Sequence, residues 1–427
     1  MTSTNSQIEE KNRVKVFCGV DWAEDHHDVA LVDVDGGLVA KRRIGDSAAG
    51  FAELMAMLAD AGDSATDPIP VAIETPRGLL VAALRQTGRR VYAINPMAVA
   101  RYRERHSVAR KKSDHVDAMT LANILRTDAH VHRPLPADSD LVRAVAVLAR
   151  ATQDATWRRT RAVQELRAVL REYYPGFLAA FAKGTVTNLA SSEARAVLAL
   201  APTPTAASRL TKAQLMAALR RAGRQRGIES LALQLRQALR AEQLHQPPLV
   251  EEAFGRQALA LLGSVDAECA AVEQLTEATA VAFQQHPDYA VITSFPGLAD
   301  LSGARVLGEI GDDRERFTDA RSLKAYAGSA PITRASGRSI SITRRVVKNN
   351  RLNAAGFLWA FAAMAKAGAP QDHYRRRRDR GDRHAAALRH LFNRFLGQLH
   401  YCLQTGQYYD PIKAFGPAQD APFETAA

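Results

Sequence analysis

Three strand patterns in succession, followed by helix and strand in alternation, narrow the folds open to this chain more than any other feature. VKVFCGVDWA from Val14 is rich in β-branched and aromatic residues, DVALVDV alternates, and Asp35-Gly36-Gly37 supplies a turn into LVAKRRI. SAAGFAELMAMLADAG then takes a helical period, with Ser47 placed to cap it and Gly62 to stop it. PVAIET reads as a buried strand, GLLVAALRQTG as a helix, RRVYAINP as a strand, and KKSDHVDAMTLANIL leads into a further helix. The order β-β-β-α-β-α-β-α predicts a mixed α/β sheet with helices packed on it.

Beyond HRPLPADSD the pattern becomes helical. Leu141 to Leu170 carries an apolar stripe through Val142, Val145, Leu148, Val163, Leu166 and Leu170. A second long helix is expected over Glu251 to Gln285, where Leu262, Val265, Cys269 and Val272 have the spacing of a coiled-coil seam, serving either a core within one chain or self-association. Between them, residues 178 to 250 are rich in Ala, Arg and Gln with TPT and QPP breaks, and predict short, loosely organised helices. A mainly α region follows, including helices at about Asn353 to Lys366 and over HAAALRHLFNRFLGQLHYCL. Residues 1–13 and 411–427 read as disordered ends.

The chain carries 57 Lys and Arg against 45 Asp and Glu, a formal charge of +12, which points to a polyanionic partner and first to nucleic acid. The three cysteines, Cys18, Cys269 and Cys402, are too few and too scattered for a disulfide framework or a thiolate zinc site. No signal peptide or membrane-length apolar run is present, so a cytoplasmic protein with no membrane partner is expected. Against this basic background four carboxylates stand at the ends of the early elements: Asp21, Glu74, Asp114 and Asp117. Asp114 and Asp117 are spaced i, i+3, which on a helix puts them on one face about 5 to 6 Å apart at Cβ. If the first and fourth strands are neighbours and the helix docks across them, the four acids converge. A hard divalent cation would relieve their repulsion. Singly, Asp114 reads equally as a helix cap and Asp117 as an exposed helical residue. Asp25, His26, His27 and Asp28 read as a solvated turn after the first strand.

GVDWA, IETPRG, INP and KKSDHVDA, taken together, resemble the N-terminal DEDD domain of transposases of the insertion-sequence one-hundred-and-ten family. SFPGLADLSGARVLGEIGDDRERFTDARSLKAYAGSAP and the ASG that follows resemble that family's C-terminal transposase domain. The resemblance implies a ribonuclease-H-like (RuvC-like) mixed sheet over 14–130 and a helical coiled-coil region over 131–285, of which 178–250 is extra length. The C-terminal transposase domain would span 286–410. It implies that Asp21, Glu74, Asp114 and Asp117 bind Mg2+, or Mn2+ in its place, and that Ser336 in ITRASGRSISITRR is a nucleophile. From the residues alone, Ser329, Ser339 and Ser341 compete with Ser336, and no His or Lys base stands beside it.

Arg334, Arg338, Arg344, Arg345 and Lys348 are candidates to hold a phosphate near that serine. Arg110, Lys111, Lys112 and the run Arg375, Arg376, Arg377 and Arg378 are candidates to track a nucleic-acid backbone. The Pro-Gly turn in SFPGLADLSGARVLGEIG reads equally as a phosphate-binding helix start and as ordinary packing. No base-reading motif is evident, and the resemblance implies that an element-encoded non-coding guide RNA pairs with donor and target DNA. Two DNA partners suggest a homo-oligomer, a dimer or tetramer, in a prokaryotic cytoplasm close to the nucleoid. The expected activity is DNA recombination by serine attack on a phosphodiester. A hydrolytic metal-dependent nuclease or junction resolvase, and a non-catalytic nucleic-acid-binding protein, remain as alternatives.

Overall fold

The computed structural model describes residues 15–106, 114–183 and 186–416, and the chain divides into two compact units, one ending at Ala137 and one beginning at Asp138. The expected disordered N-terminus, residues 417–427 of the expected disordered tail, and Arg110, Lys111 and Lys112 lie outside the described residues. Residues 411–416 correct the expectation: Pro411–Phe415 is a helix that Asp410 caps and that buries Ala414.

The first unit contains β1 (Phe17–Trp22), β2 (His26–Val32), β3 (Leu38–Gly45), α1 (Ala48–Asp60), β4 (Val71–Ile73), α2 (Leu79–Gln86), β5 (Val91–Ala93), α3 (Pro96–His106) and α4 (Asp114–Asp128). The sheet order is β3-β2-β1-β4-β5, with β1, β2 and β3 antiparallel and β4 and β5 parallel to β1. The mixed sheet read from the sequence is present. Its strands alternate, so Cys18, Val20, Val71 and Ile73 face Leu54 and Leu58 of α1 and Leu80 and Leu84 of α2. Phe17, Val32 and Ala72 face Val99 of α3 and Leu121, Ala122 and Leu125 of α4. Burial pushes the Cys18 thiol up to about 12, so it behaves as an apolar filler rather than a reactive group. Helix α1 starts where Ser47 accepts the Gly50 N–H at 3.1 Å.

The solvated turn expected at Asp25 to Asp28 holds at Asp25, an exposed bend, and is corrected for the rest. His26, His27 and Asp28 belong to β2, and the last two are buried. The β-branched signal in DVALVDV begins late, and the cross-strand register of β1 extends the strand backward over polar residues.

The second unit contains α5 (Asp140–Tyr173), α6 (Pro175–Ala180), the short pair β6 (Ala182–Lys183) and β7 (Val186–Thr187), α7 (Ser192–Leu200), α8 (Pro204–Ser208), α9 (Lys212–Arg221), α10 (Ile228–Leu239), α11 (Pro248–Gln284), α12 (Tyr289–Thr293), α13 (Asp300–Ile310) and α14 (Ala320–Tyr326). These are followed by the hairpin β8 (Ile332–Ser336) and β9 (Ser339–Thr343), then α15 (Asn350–Met364), α16 (Ala369–Asp379), α17 (His384–Thr405) and α18 (Pro411–Phe415). Thr152 meets Thr279 at 2.9 Å and Arg158 meets Glu268 at 2.7 Å, so α5 and α11 pack antiparallel. At 34 residues, α5 is about 50 Å long and serves two cores. Val142, Val145 and Ala149 join Phe283, Phe295, Leu307, Trp359 and Phe395 in one. Leu166 and Leu170 join Leu262, Val265 and Cys269 in the other. Leu262, Val265 and Cys269 of the α11 seam are therefore covered within the chain, and Val272 is half-buried.

The loose organisation expected for 178 to 250 is also corrected. Val197, Leu198, Leu215, Leu219, Leu235 and Leu239 are fully buried in the second core, and Ser191, Thr203 and Thr211 cap the short helices. Helices this short are marginal alone and owe their order to tertiary packing. The Pro-Gly turn resolves as packing: α13 buries Val306, Leu307 and Ile310 in the first core.

At Gly19 a Cβ would lie 2.0 Å from the Ala118 carbonyl oxygen. Gly19→Ala is thus expected to destabilise the protein by about 3 kcal/mol or more. Gly263→Ala, in open space on α11, should instead be neutral or gain roughly 0.5 kcal/mol. Urea unfolding of both variants checks this. His373, packed on Phe415, has its pKa pushed down to about 4, first by burial and then by Arg394. Its folded pKa lies below its unfolded one, so its stabilising contribution is complete above about pH 6.5 and is lost as pH falls toward 4. His373→Gln should flatten the fall of Tm across that window.

Candidate active site

In the first unit the carboxylates are placed by strand register. Asp21 is the fifth residue of β1, half-buried, and directly opposite Asp28 on β2. Val20 pairs with Ile73 of the parallel strand β4; Asp21 is the next residue of β1, and Glu74 is the first residue past the end of β4. Alternation puts Asp21 on the side of Gly19, the side covered by α4. Gly19 is what lets the helix in: with no side chain there, the backbone of α4 at Ala118 and Ala122 rests on β1. Asp117, next to Ala118, is thereby carried to this face and is buried at 6% exposure. Asp114 is the first residue of α4, one turn away on the same helix, and only its place in the helix is described.

Two arginines that the sequence did not single out neutralise acids here. Arg103 of α3 is hydrogen-bonded and ion-paired to Asp117. Arg43, on the edge strand β3, grips Asp28 with both ends of its guanidinium, at 3.2 and 2.7 Å. A buried carboxylate needs such a partner. The donor set of Asp21, Glu74 and Asp117 is all carboxylate oxygen, the chemistry a hard divalent ion takes. Among the described residues, however, no three of His, Cys, Asp and Glu are grouped closely enough to hold a metal ion, and Asp117 is engaged by Arg103.

In the second unit, Ser336 is the last residue of β8 and pairs with Ser339 across the two-residue turn Gly337-Arg338. Gly337 has φ +55°, the positive φ that a tight hairpin turn requires at this position. The register gives the hairpin two unlike faces. Arg334, Ser336, Ser339 and Ser341 share one, and Thr333, Ala335, Ile340 and Ile342 share the other. All eight are exposed, and no base is hydrogen-bonded to Ser336 among the described residues. Ser329 is buried instead, donating to the Lys324 carbonyl and accepting from Asn393, which marks it as structural.

The hairpin's exit is fixed by a network around the buried Glu309. Glu309 takes a two-point grip from Arg150 at 2.7 and 3.0 Å, and accepts from Asn349 at 2.7 Å. Asn349 also donates to the Tyr326 hydroxyl and caps α15 by accepting the Leu352 N–H. Of the sequence's basic candidates, Arg334 and Arg338 sit on the hairpin, while Arg344, Arg345 and Lys348 follow β9 and line one cleft. Arg375 and Arg376 are exposed on α16. Arg377 is tied to Asp382 and His390, and Arg378 donates to the Asp382 carbonyl.

Comparison with known proteins gives two family matches. A profile of DEDD transposases of IS110 matches residues 18–175, and a profile described as the transposase IS116/IS110/IS902 family matches residues 289–375. The chain is 58% identical over 411 residues to a Streptomyces coelicolor protein named as the candidate mini-circle transposase for IS117, covering 96% of this chain and 99% of that one. It is 28% identical over 408 residues to a 42 kDa protein of insertion element IS900 of Mycobacterium paratuberculosis, covering 93% and 97%. Over 346 residues it is 28% identical to a 43.6 kDa protein of insertion element IS110 of Streptomyces coelicolor, covering 78% and 80%.

Removing Arg103 leaves the Asp117 charge buried without that partner. Arg103→Ala is expected to cost about 2 kcal/mol, less than a fully buried pair because Arg103 is one quarter exposed. If the carboxylates take a divalent ion, Mg2+ should recover part of that loss in urea unfolding, and should not do so in Arg103→Ala/Asp117→Asn.

Proposed function

The chain belongs to the IS110 family of insertion-element transposases, and from that membership we propose that it cuts and exchanges DNA strands through a phosphoserine link at Ser336. A transposase acts on DNA, and the donor and target strands are its substrates. The first unit's strand order, β3-β2-β1-β4-β5, is that expected of a ribonuclease-H-like, RuvC-like sheet. We assign residues 14–130 to that acidic domain and 286–410 to the serine-bearing transposase domain, with the helical region between them.

The observation that carries the reading is the seat of α4 on Gly19, which sets Asp117 on the sheet face that also bears Asp21, with Glu74 at the end of the neighbouring strand β4. With Asp114 these residues would hold Mg2+, whose chemistry is to polarise a phosphodiester and stabilise charge on its oxygens. Loading would require Asp117 to exchange Arg103 for the ion. The residues of the hairpin do the rest. Ser336 Oγ forms a bond to phosphorus and gives its proton to water. The P–O bond to the departing strand breaks, and that strand's oxygen is left free to attack the phosphoserine of the exchanged partner. Arg334, on the same face of the hairpin two residues from Ser336, and Arg338 in the turn hold the phosphate and offset the charge that grows on it. Selection of the target falls to a guide RNA, since the basic surfaces of the chain suit a backbone rather than base edges.

Protein co-expressed with its flanking non-coding DNA, mixed with labelled donor and target duplexes and Mg2+, should give a labelled band at protein mass on a denaturing gel. Ser336→Ala should abolish that band, and Asp21→Asn should lower it by at least about 100-fold. Free cleaved DNA from wild type and Ser336→Ala alike, with no adduct, would replace this mechanism with water as the nucleophile. Adduct formation lost when the guide RNA is digested, and restored by adding it back, would assign the RNA its role.

A further inference from the structure

At the foot of the hairpin, in the second unit, lies a cleft of about 200 Å3. Four cations line it: Arg344 and Arg345 just past β9, Lys348 in the loop that follows, and Arg389 of α17. The lining contains no acid, and among the described residues none of the four is ion-paired. The Nε of Arg345 is buried without a hydrogen-bond partner, so nothing in the described protein holds this guanidinium. The rest of the wall is mainly apolar, formed by Phe357 of α15 with Leu388 and Phe392 of α17.

Two close approaches shape this cleft. A Cβ at Gly356 would lie 2.2 Å from the Phe392 ring, so the ring is seated on the backbone of α15. A Cβ at Gly328 would lie 2.1 Å from Cδ of Lys348, so the lysine stem crosses the chain there for want of a side chain. Phe357 is 42% exposed and stands edge-to-face with His384, at 6.2 Å between ring centroids.

A site for a bare phosphate has no use for an aromatic wall, and an apolar pocket would not gather four unpaired cations. Both together suit a nucleotide. The volume is below the roughly 300 Å3 at which pockets take drug-sized ligands, which leaves room for one base-sized ring system. A base within a duplex is stacked on both sides and cannot enter. An unpaired one can lie on an aromatic ring while its phosphates pair with guanidinium groups. We propose that this cleft captures one unpaired nucleotide, its base against Phe357 and its phosphates on Arg344, Arg345, Lys348 and Arg389. The proposal rests on the nucleic-acid function argued above and adds a single-strand binding site to it. Such a nucleotide can come from a DNA strand opened during exchange or from an RNA.

The test is fluorescence anisotropy of the full-length protein with single-stranded DNA, single-stranded RNA of the same sequence, and duplex DNA. Phe357→Ala should weaken single-strand binding by about 5- to 150-fold, the loss of one stacked base, and leave duplex affinity within about twofold. Phe357→Tyr keeps the ring and should bind as wild type does, which separates stacking from folding. Arg389→Gln should weaken single-strand binding and lower its salt slope by about 1. The strand type that responds to Phe357→Ala identifies the source, and a response in both assigns any unpaired strand. Single-strand binding unchanged by Phe357→Ala, or lost equally for duplex, overturns the proposal while leaving the phosphoserine assay untouched. Loss of the phosphoserine adduct assay with the single-strand response intact overturns the mechanism and not the cleft. Wild type that binds none of the three probes overturns both.

Discussion

The absence of a side chain at Gly19 governs the first unit. A helix normally stands off a sheet by the thickness of the side chains between them. Here the backbone of α4 comes down onto β1, and Ala118 and Ala122 fill the space that a larger contact would claim. The consequence is chemical as well as mechanical. Asp117 lies beside Ala118, so it cannot escape to solvent as an acid on a more distant helix would. It is held at the sheet surface, where it must be compensated. Strand alternation supplies Asp21 to the same side, and the pairing of β1 with β4 brings Glu74, the first residue past β4, to the end of the neighbouring strand.

Compensation follows one pattern in both units. Asp117, Asp28 and Glu309 are each nearly or fully buried, and each is met by an arginine that stays partly in solvent: Arg103, Arg43 and Arg150. Arginine suits this because its stem can lie along apolar surface while its planar head reaches a carboxylate with two donors. These pairs fix positions more than they add stability, since desolvation offsets most of their attraction. The cleft at the foot of the hairpin breaks the pattern. Its lining gathers Arg344, Arg345, Lys348 and Arg389 with no acidic counterpart. The hydrogen-bond network of Glu309, Arg150, Asn349 and Tyr326 holds the strand exit that presents them.

Much of this was legible in the chain before any coordinates. The long helices α5 and α11 showed their apolar period over many turns, and the alternation in the first strands set the mixed sheet. What failed did so for identifiable reasons. His27 and Asp28 are polar residues carried into a strand by pairing with β1, a long-range contact that local pattern does not record. The segment 178 to 250 looked loose because no single helix there is long enough to declare its face, yet six leucines and valines meet in one core. Arg103 and Arg43 were invisible as site residues. On a basic chain an arginine's importance depends on which acid it reaches, and those acids are 14 and 15 residues away.

The sequence by itself determined the kinds of element, their order, and the residue types that carry chemistry: acids at strand ends and on a helix, a serine at a glycine turn, and a surplus of cations. Each of these depends on local periodicity or composition, which a chain states directly. Only the tertiary structure decided which of those groups share a face and which are already spoken for. Asp117 is bound to Arg103, Arg377 to Asp382 and His390, while Arg344, Arg345, Lys348 and Arg389 are gathered without an acid. Those outcomes turn on close approaches at Gly19, Gly328 and Gly356, where the position of one backbone against another is set by packing of distant segments. A glycine in sequence permits such contact but does not say what will make it.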